Sequence, residues 1–117
     1  MFKLYHNNKC SKSRACKTIL ENNNVIFETI EYLKKRLKIS QINHIFSNTV
    51  EDIDKLVRYN EKIFAKSFRS KIEHLDKNDI IEFIYLNPIC LQRPLFYNGR
   101  FYKVCRPPEL VLDCIKI

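Results

Sequence analysis

Glycine is nearly absent: Gly99 is the only one in 117 residues. Gly-rich phosphate loops and dinucleotide fingerprints need several glycines, because only a residue without Cβ lets the backbone close on a phosphate. Both motifs are excluded, and nucleotide-dependent chemistry is not expected. Long apolar runs are missing as well. None approaches the roughly 20 residues that cross a bilayer, and charged and polar residues from Lys3 onward interrupt any secretory leader. Paired cysteines are also lacking. The five present are an odd number and show neither the spacing of a secreted scaffold nor the double C-x-x-C of a zinc site. These absences predict a reduced, cytoplasmic protein without a membrane segment or a bound cofactor. Negative charge is in short supply, since 21 Lys and Arg face 13 Asp and Glu and leave a net charge of +8. The basic residues are scattered, and the densest group, Lys34-Lys35-Arg36 with Lys38, reads as a solvated loop. Nucleic acid is therefore not the expected partner, and a small anionic molecule is.

What is present suffices for one folded domain over residues 1–117. The chain is 45% hydrophobic and 12% aromatic, enough to bury a core without disulfides or metal. Residues 2–6 read as a strand and 11–22 as a helix with Ala15, Cys16, Ile19 and Leu20 on one face. That spacing makes Cys16 a core residue. Residues 25–33 alternate and are β-branched and aromatic, which predicts a second strand. Ser40 is the expected N-cap of a helix carrying Ile42, Ile45 and Phe46. A further helix is expected from Thr49 through Ile53, Leu56, Val57, Ile63 and Phe64, and another from Asp76 or Asp79 through Tyr85. Residues 94–97 and 100–104 flank Asn98-Gly99, the signature of a hairpin with a type I′ turn. Pro107-Pro108 opens a final helix through Cys114. A βαβ unit followed by a ββα unit is the order of a thioredoxin-like α/β fold with a mixed sheet, with a helical insertion over about 38–88.

The densest chemical signal is His6-Asn7-Asn8-Lys9-Cys10-Ser11-Lys12-Ser13-Arg14. Cys10 stands where a strand turns into a helix, at the positive end of the helix dipole and beside unpaired N–H groups. His6, Lys9, Lys12 and Arg14 add cationic or potentially cationic groups. Such a setting lowers a thiol pKa from about 8.5 towards roughly 3.5–7.5. A free cysteine is more often a small buried hydrophobe, but serines, asparagines and cations are poor company for one. Cys10 is read as a thiolate nucleophile, with Ser11, Lys12, Ser13 and Arg14 around an anion site.

Four separated stretches together resemble the ArsC-type arsenate reductase family, the glutaredoxin- and glutathione-linked one. They are His6 to Arg14, Leu56-Val57-Arg58 with Glu61, Asn87-Pro88-Ile89 through Leu91-Gln92-Arg93-Pro94, and Arg106-Pro107-Pro108-Glu109. The Cys-Ser-Lys-Ser-Arg form is most similar to the smaller ArsC-related members. The resemblance implies that Cys10 is the catalytic cysteine, that His6 favours its thiolate, and that Arg58, Arg93 and Arg106 surround a small oxyanion substrate. It further implies a cis-proline at Pro94, glutathione as co-substrate and glutaredoxin as partner. Ser13 stands where many thioredoxin-like proteins carry a second cysteine, so the reducing thiol must come from outside. Asn8 departs from the family, which commonly has proline there. The residues alone also suit an oxyanion, since guanidinium stays protonated and offers paired donors. On the residues alone, Arg58 reads equally as a helix-surface cation paired with Glu61.

Two other readings share the architecture. An Spx-type regulator would dock on RNA polymerase and often carries a C-x-x-C switch, which Ser13 breaks. A general glutathione-dependent thiol-disulfide reductase fits the Cys10-x-x-Ser13 spacing but gives the three arginines no role. A phosphatase-like arsenate reductase needs arginine six positions after the cysteine, where this chain has Cys16.

Overall fold

Strand β1 (Phe2–Tyr5) lies inside a mixed four-stranded sheet. It runs parallel to β2 (Phe27–Ile30), with Phe2 opposite Phe27, and antiparallel to β3 (Leu95–Tyr97), with Leu4 opposite Phe96. Strand β4 (Tyr102–Val104) pairs antiparallel with β3, giving the order β2-β1-β3-β4. The computed structural model describes residues 1–59, 61–63 and 76–116. Phe64 and part of the expected insertion lie outside them. Among the described residues the other elements include α1 (Ser11–Asn22), α2 (Ile39–Ser47), α3 (Lys77–Leu86), the short α4 (Val111–Cys114) and 3₁₀ turns at Ile53–Leu56, Pro88–Cys90 and Pro108–Leu110. This is the βαβ and ββα order, with its mixed sheet, of the expected thioredoxin-like fold. Among the described residues no helix is long and apolar enough to cross a membrane.

Because side chains alternate along a strand, the sheet divides the core into two layers. Tyr5, Leu95, Tyr102 and Val104 face one layer with Tyr32, Ile42, Ile45, Ile80 and Ile84. Leu4 and Phe96 face the other with Cys16, Leu20, Cys105, Val111 and Cys114. Cys16 is a core residue as expected, whereas Ala15 is exposed and does not share its face.

Local competition explains where the elements depart from the periodicity. The segment after Thr49 is not a long helix. Thr49 bridges to Tyr102 and Val57 to Leu91, and these pairings draw the backbone out, leaving one 3₁₀ turn at Ile53–Leu56. Helix α2 is capped at Lys38, two residues before the expected Ser40, because the Gln41 side chain accepts the Lys38 N–H at 2.7 Å. Helix α3 is capped by Asp76, whose carboxylate accepts the Asn78 N–H at 3.2 Å. The hairpin loop is not type I′, which needs positive φ at both central residues. Gly99 has φ +94 but Asn98 does not have a positive φ. Instead the Asn98 side-chain oxygen accepts the N–H groups of Arg100 and Phe101, each at 3.0 Å, and widens the loop to four residues.

Candidate active site

Cys10 is the N-cap of α1, in extended backbone conformation, and its own N–H donates to the Asn7 carbonyl at 2.9 Å. It is half-buried, while Cys16, Cys90, Cys105 and Cys114 are buried, and all five thiols are free. The sulfur closes no formal capping bond. Burial opposes its ionisation and is the largest single effect, but the N–H groups of Ser13 and Lys12 and the Arg93 guanidinium outweigh it and bring its pKa below the ordinary thiol value. No acidic residue occupies the first turn of α1 to compete for its dipole.

Side-chain bonds shape the loop before the cysteine. Ser13, fully buried, accepts the Asn7 N–H at 3.1 Å and donates to His6 Nδ1 at 2.6 Å. His6 Nε2 in turn faces the Asn8 side-chain oxygen at 3.4 Å. Arg14 donates to the Asn8 carbonyl at 3.0 Å. Asn8 thus ties down by hydrogen bonds the stretch where the resemblance implies a proline. His6 does not supply the positive charge that the sequence suggests. It is 2% exposed, and burial pushes its pKa down, so the ring is neutral with its proton on Nε2. The side chains of Ser11 and Lys12 are exposed, and Lys12 acts on the sulfur through its backbone.

Arg93 is the arginine that faces the sulfur. It lies between the 3₁₀ turn Pro88–Cys90 and β3, and the peptide joining it to Pro94 is cis, as the resemblance implies. One guanidinium N–H donates to the Ile89 carbonyl at 2.8 Å. The side chain is 6% exposed, yet none of the ion pairs among the described residues includes it. Its Nε is buried without a hydrogen-bond partner. A buried cation with an orphaned donor is costly unless an anion completes it. The Cys10 thiolate is one such anion, and a bound oxyanion would be a second.

Arg58 and Arg106 come to the same segment without facing the sulfur. The Arg58 N–H bonds to the Cys90 carbonyl at 2.7 Å and the Gln92 N–H to the Leu56 carbonyl at 2.8 Å, closing the Val57–Leu91 bridge. The Arg58 side chain is shared between Glu61 at 3.2 Å and the Gln92 side-chain oxygen at 3.0 Å. The expected Glu61 pair is therefore real, but it does not sit on a helix. Arg106 precedes a second cis-proline, Pro107, and donates to the Arg93 carbonyl at 2.8 Å. Arg58, Gln92 and Arg106 line an open cleft of about 600 Å³ together with Lys55, Tyr59 and Lys103. Neither Cys10 nor Arg93 is among its described lining residues.

The other thiols are poor nucleophiles. Interaction with Cys114 favours ionisation of Cys105, but Cys16 and burial prevail and push its pKa up. Burial raises Cys90 to about 11. Two residues went unrecognised in the sequence. Gln92 links Arg58 to the backbone of Arg93, whose N–H it accepts at 3.2 Å. Tyr32 is wholly buried, with its hydroxyl beside Arg93. Neither carries a local signal, since an amide in a loop and an aromatic after a strand are ordinary there. Among the described residues no group of three or more His, Cys, Asp or Glu could hold a metal ion.

The ArsC family model matches residues 5–114. The chain is 28% identical over 113 residues to the arsenate reductase of Haemophilus influenzae, covering 96% of this chain and 97% of that one. It is 27% identical over 114 residues to the uncharacterized protein YfgD of Escherichia coli, covering 97% and 95%. Among solved structures, the arsenate reductase from Vibrio cholerae superposes with a TM-score of 0.88 at 24% identity, over 97% of this chain and 96% of that one.

Proposed function

The chain belongs to the ArsC family, and on that premise we propose that it is an arsenate reductase-like thiol oxidoreductase, with Cys10 as its nucleophile. One observation carries the reading: a half-buried thiol of lowered pKa lies opposite a buried arginine that has one orphaned donor and, among the described residues, no carboxylate partner. Relatives named arsenate reductase supply the substrate.

In this reading the Cys10 thiolate attacks arsenic and one arsenate oxygen leaves as water, giving a thiol-bound arsenate. The N–H groups at the start of α1 and the Arg93 guanidinium stabilise the oxygens as charge builds on them. Arg58 and Arg106, beside Arg93 in the adjoining cleft, take the oxygens that Arg93 does not reach. The glutathione thiolate then attacks the Cys10 sulfur, forming the S–S bond as the S–As bond breaks and leaves its electron pair on arsenic. Two electrons pass from the pair of thiol sulfurs to arsenic, arsenite leaves, and the sulfurs remain as a disulfide. Glutaredoxin supplies the thiol that returns Cys10 to its reduced state. The outside thiol is needed because Ser13 offers a hydroxyl, which forms no disulfide, and Cys105 is sealed in the core.

Arsenate-dependent oxidation of NADPH, coupled through glutathione reductase, glutathione and glutaredoxin, tests the proposal. Turnover is expected and should be abolished by Cys10→Ser. Equal rates for the two proteins would remove arsenate as the substrate.

A further inference from the structure

The Arg93 guanidinium donates to the Ile89 carbonyl and leaves Nε unpartnered, and among the described residues no carboxylate pairs with it. Its direction towards Cys10 must therefore be set by a neighbour. Tyr32, in the segment after β2, is that neighbour. Its ring is wholly buried against Leu37, Ile42, Ile84 and Leu91, in the layer that β1 and β3 share with α2 and α3. Its hydroxyl donates to the Leu91 carbonyl at 3.2 Å, two residues before Arg93. With that proton committed, the oxygen presents only lone pairs to its other neighbour, the Arg93 guanidinium. Arg58 and Cys10 lie within its electrostatic reach as well.

We propose that Tyr32 is a positioning residue for the reaction: its hydroxyl, anchored on the Leu91 carbonyl, holds the Arg93 guanidinium against the Cys10 sulfur. A phenol oxygen suits this place better than a carboxylate. A carboxylate would neutralise Arg93 and compete with both the thiolate and the incoming oxyanion. The neutral acceptor directs the cation while leaving its charge to be shared. Burial keeps Tyr32 protonated throughout, pushing its pKa up to about 12 against the pull of Arg93. The inference rests on the roles given above to Cys10 and Arg93, but not on arsenate being the substrate.

Tyr32→Phe keeps the ring and removes the hydroxyl, and with it both the bond to the Leu91 carbonyl and the lone pairs that face Arg93. Cys10 is the one thiol that is not buried, so ultraviolet titration and iodoacetamide alkylation report on it selectively. In Tyr32→Phe the titration midpoint should rise by about half a pH unit, with about threefold slower alkylation at a pH well below the midpoint. The acid limb of the kcat/KM profile should move by the same amount. Tyr32→Phe in an Arg93→Met background should then give no further shift, because the hydroxyl acts through the guanidinium. Arg93→Met is expected to fold, since replacing a buried cation that pairs with no carboxylate among the described residues by an apolar side chain of similar size relieves a desolvation penalty.

A folded Tyr32→Phe with an unchanged midpoint would overturn the proposal, and so would a shift that persists in the Arg93→Met background. Nitrogen NMR of the unaltered protein gives an independent reading. A held guanidinium shows separate Arg93 Nη1 and Nη2 resonances, and one averaged signal would contradict the assignment. The titration uses no arsenate. A shifted midpoint without arsenate turnover would therefore remove the substrate and leave Tyr32 in its role.

Discussion

His6 and Cys10, four positions apart, both have lowered pKa values, but for different physical reasons. Burial keeps His6 neutral, and its bonds to Ser13 and Asn8 use the ring as a brace. Cys10 is held at the rim, where N–H groups and one guanidinium favour its anion. The imidazole consequence is a stability that depends on pH. In the unfolded chain His6 takes up a proton near its ordinary value of 6.5, whereas the folded ring does so only at lower pH. Between those points the unfolded state binds more protons, so stability falls as pH falls through 6.5, by up to about 1.4 kcal/mol per pH unit. Urea unfolding of the native protein and His6→Gln between neutral and mildly acid pH should show this slope in the native protein alone. Parallel curves would mean that the ring titrates normally. The residue types of this loop were legible as a reactive thiol site. The charge of His6 was not, because sequence shows which groups are near but not which are sealed from water.

At the scale of elements, α1 and α3 treat their N-termini differently. Helix α3 begins on the Asp76 carboxylate and carries Asp79 in its first turn. Helix α1 begins on a cysteine and has no acid in its first turn, so its dipole is left for a thiolate or a bound anion. An acid at the exposed Ser11 should reverse that allocation. Ser11→Asp is predicted to stabilise the fold by about 0.5 kcal/mol through the helix dipole while raising the Cys10 titration midpoint and slowing its alkylation. Thermal melting with thiolate titration checks both signs, and a more stable protein with a faster thiol would contradict the account. The bounds of α1 and the existence of α2, α3 and the hairpin were readable from period and caps. The helix expected after Thr49 was not there, because its apolar spacing competes with backbone partners at Tyr102 and Leu91 that are remote in the chain. The Asn98-Gly99 turn failed for a local reason, since the Asn98 side chain binds two N–H groups and enlarges the loop.

For the whole molecule, the decisive fact is convergence. The Val57–Leu91 bridge sets Arg58 against Gln92, the cis peptide at Pro94 follows Arg93, and Arg106 reaches back to the Arg93 carbonyl. Four distant stretches suggested a shared site through their resemblance to a family. Folding gives them unequal places, with Arg93 at the sulfur and the other two arginines lining a neighbouring cleft. That inequality depends on side-chain reach and on the packing of Tyr32, neither of which one-dimensional spacing records. The account stands on the Cys10 pKa being lowered by the N–H groups of Ser13 and Lys12 together with a buried Arg93 that faces it. Ultraviolet titration of Cys10 in the native protein and in Arg93→Met is the most direct test. The native midpoint should lie below the ordinary thiol value and rise on loss of the guanidinium. A native thiol that titrates like free cysteine, unmoved by Arg93→Met, would contradict it.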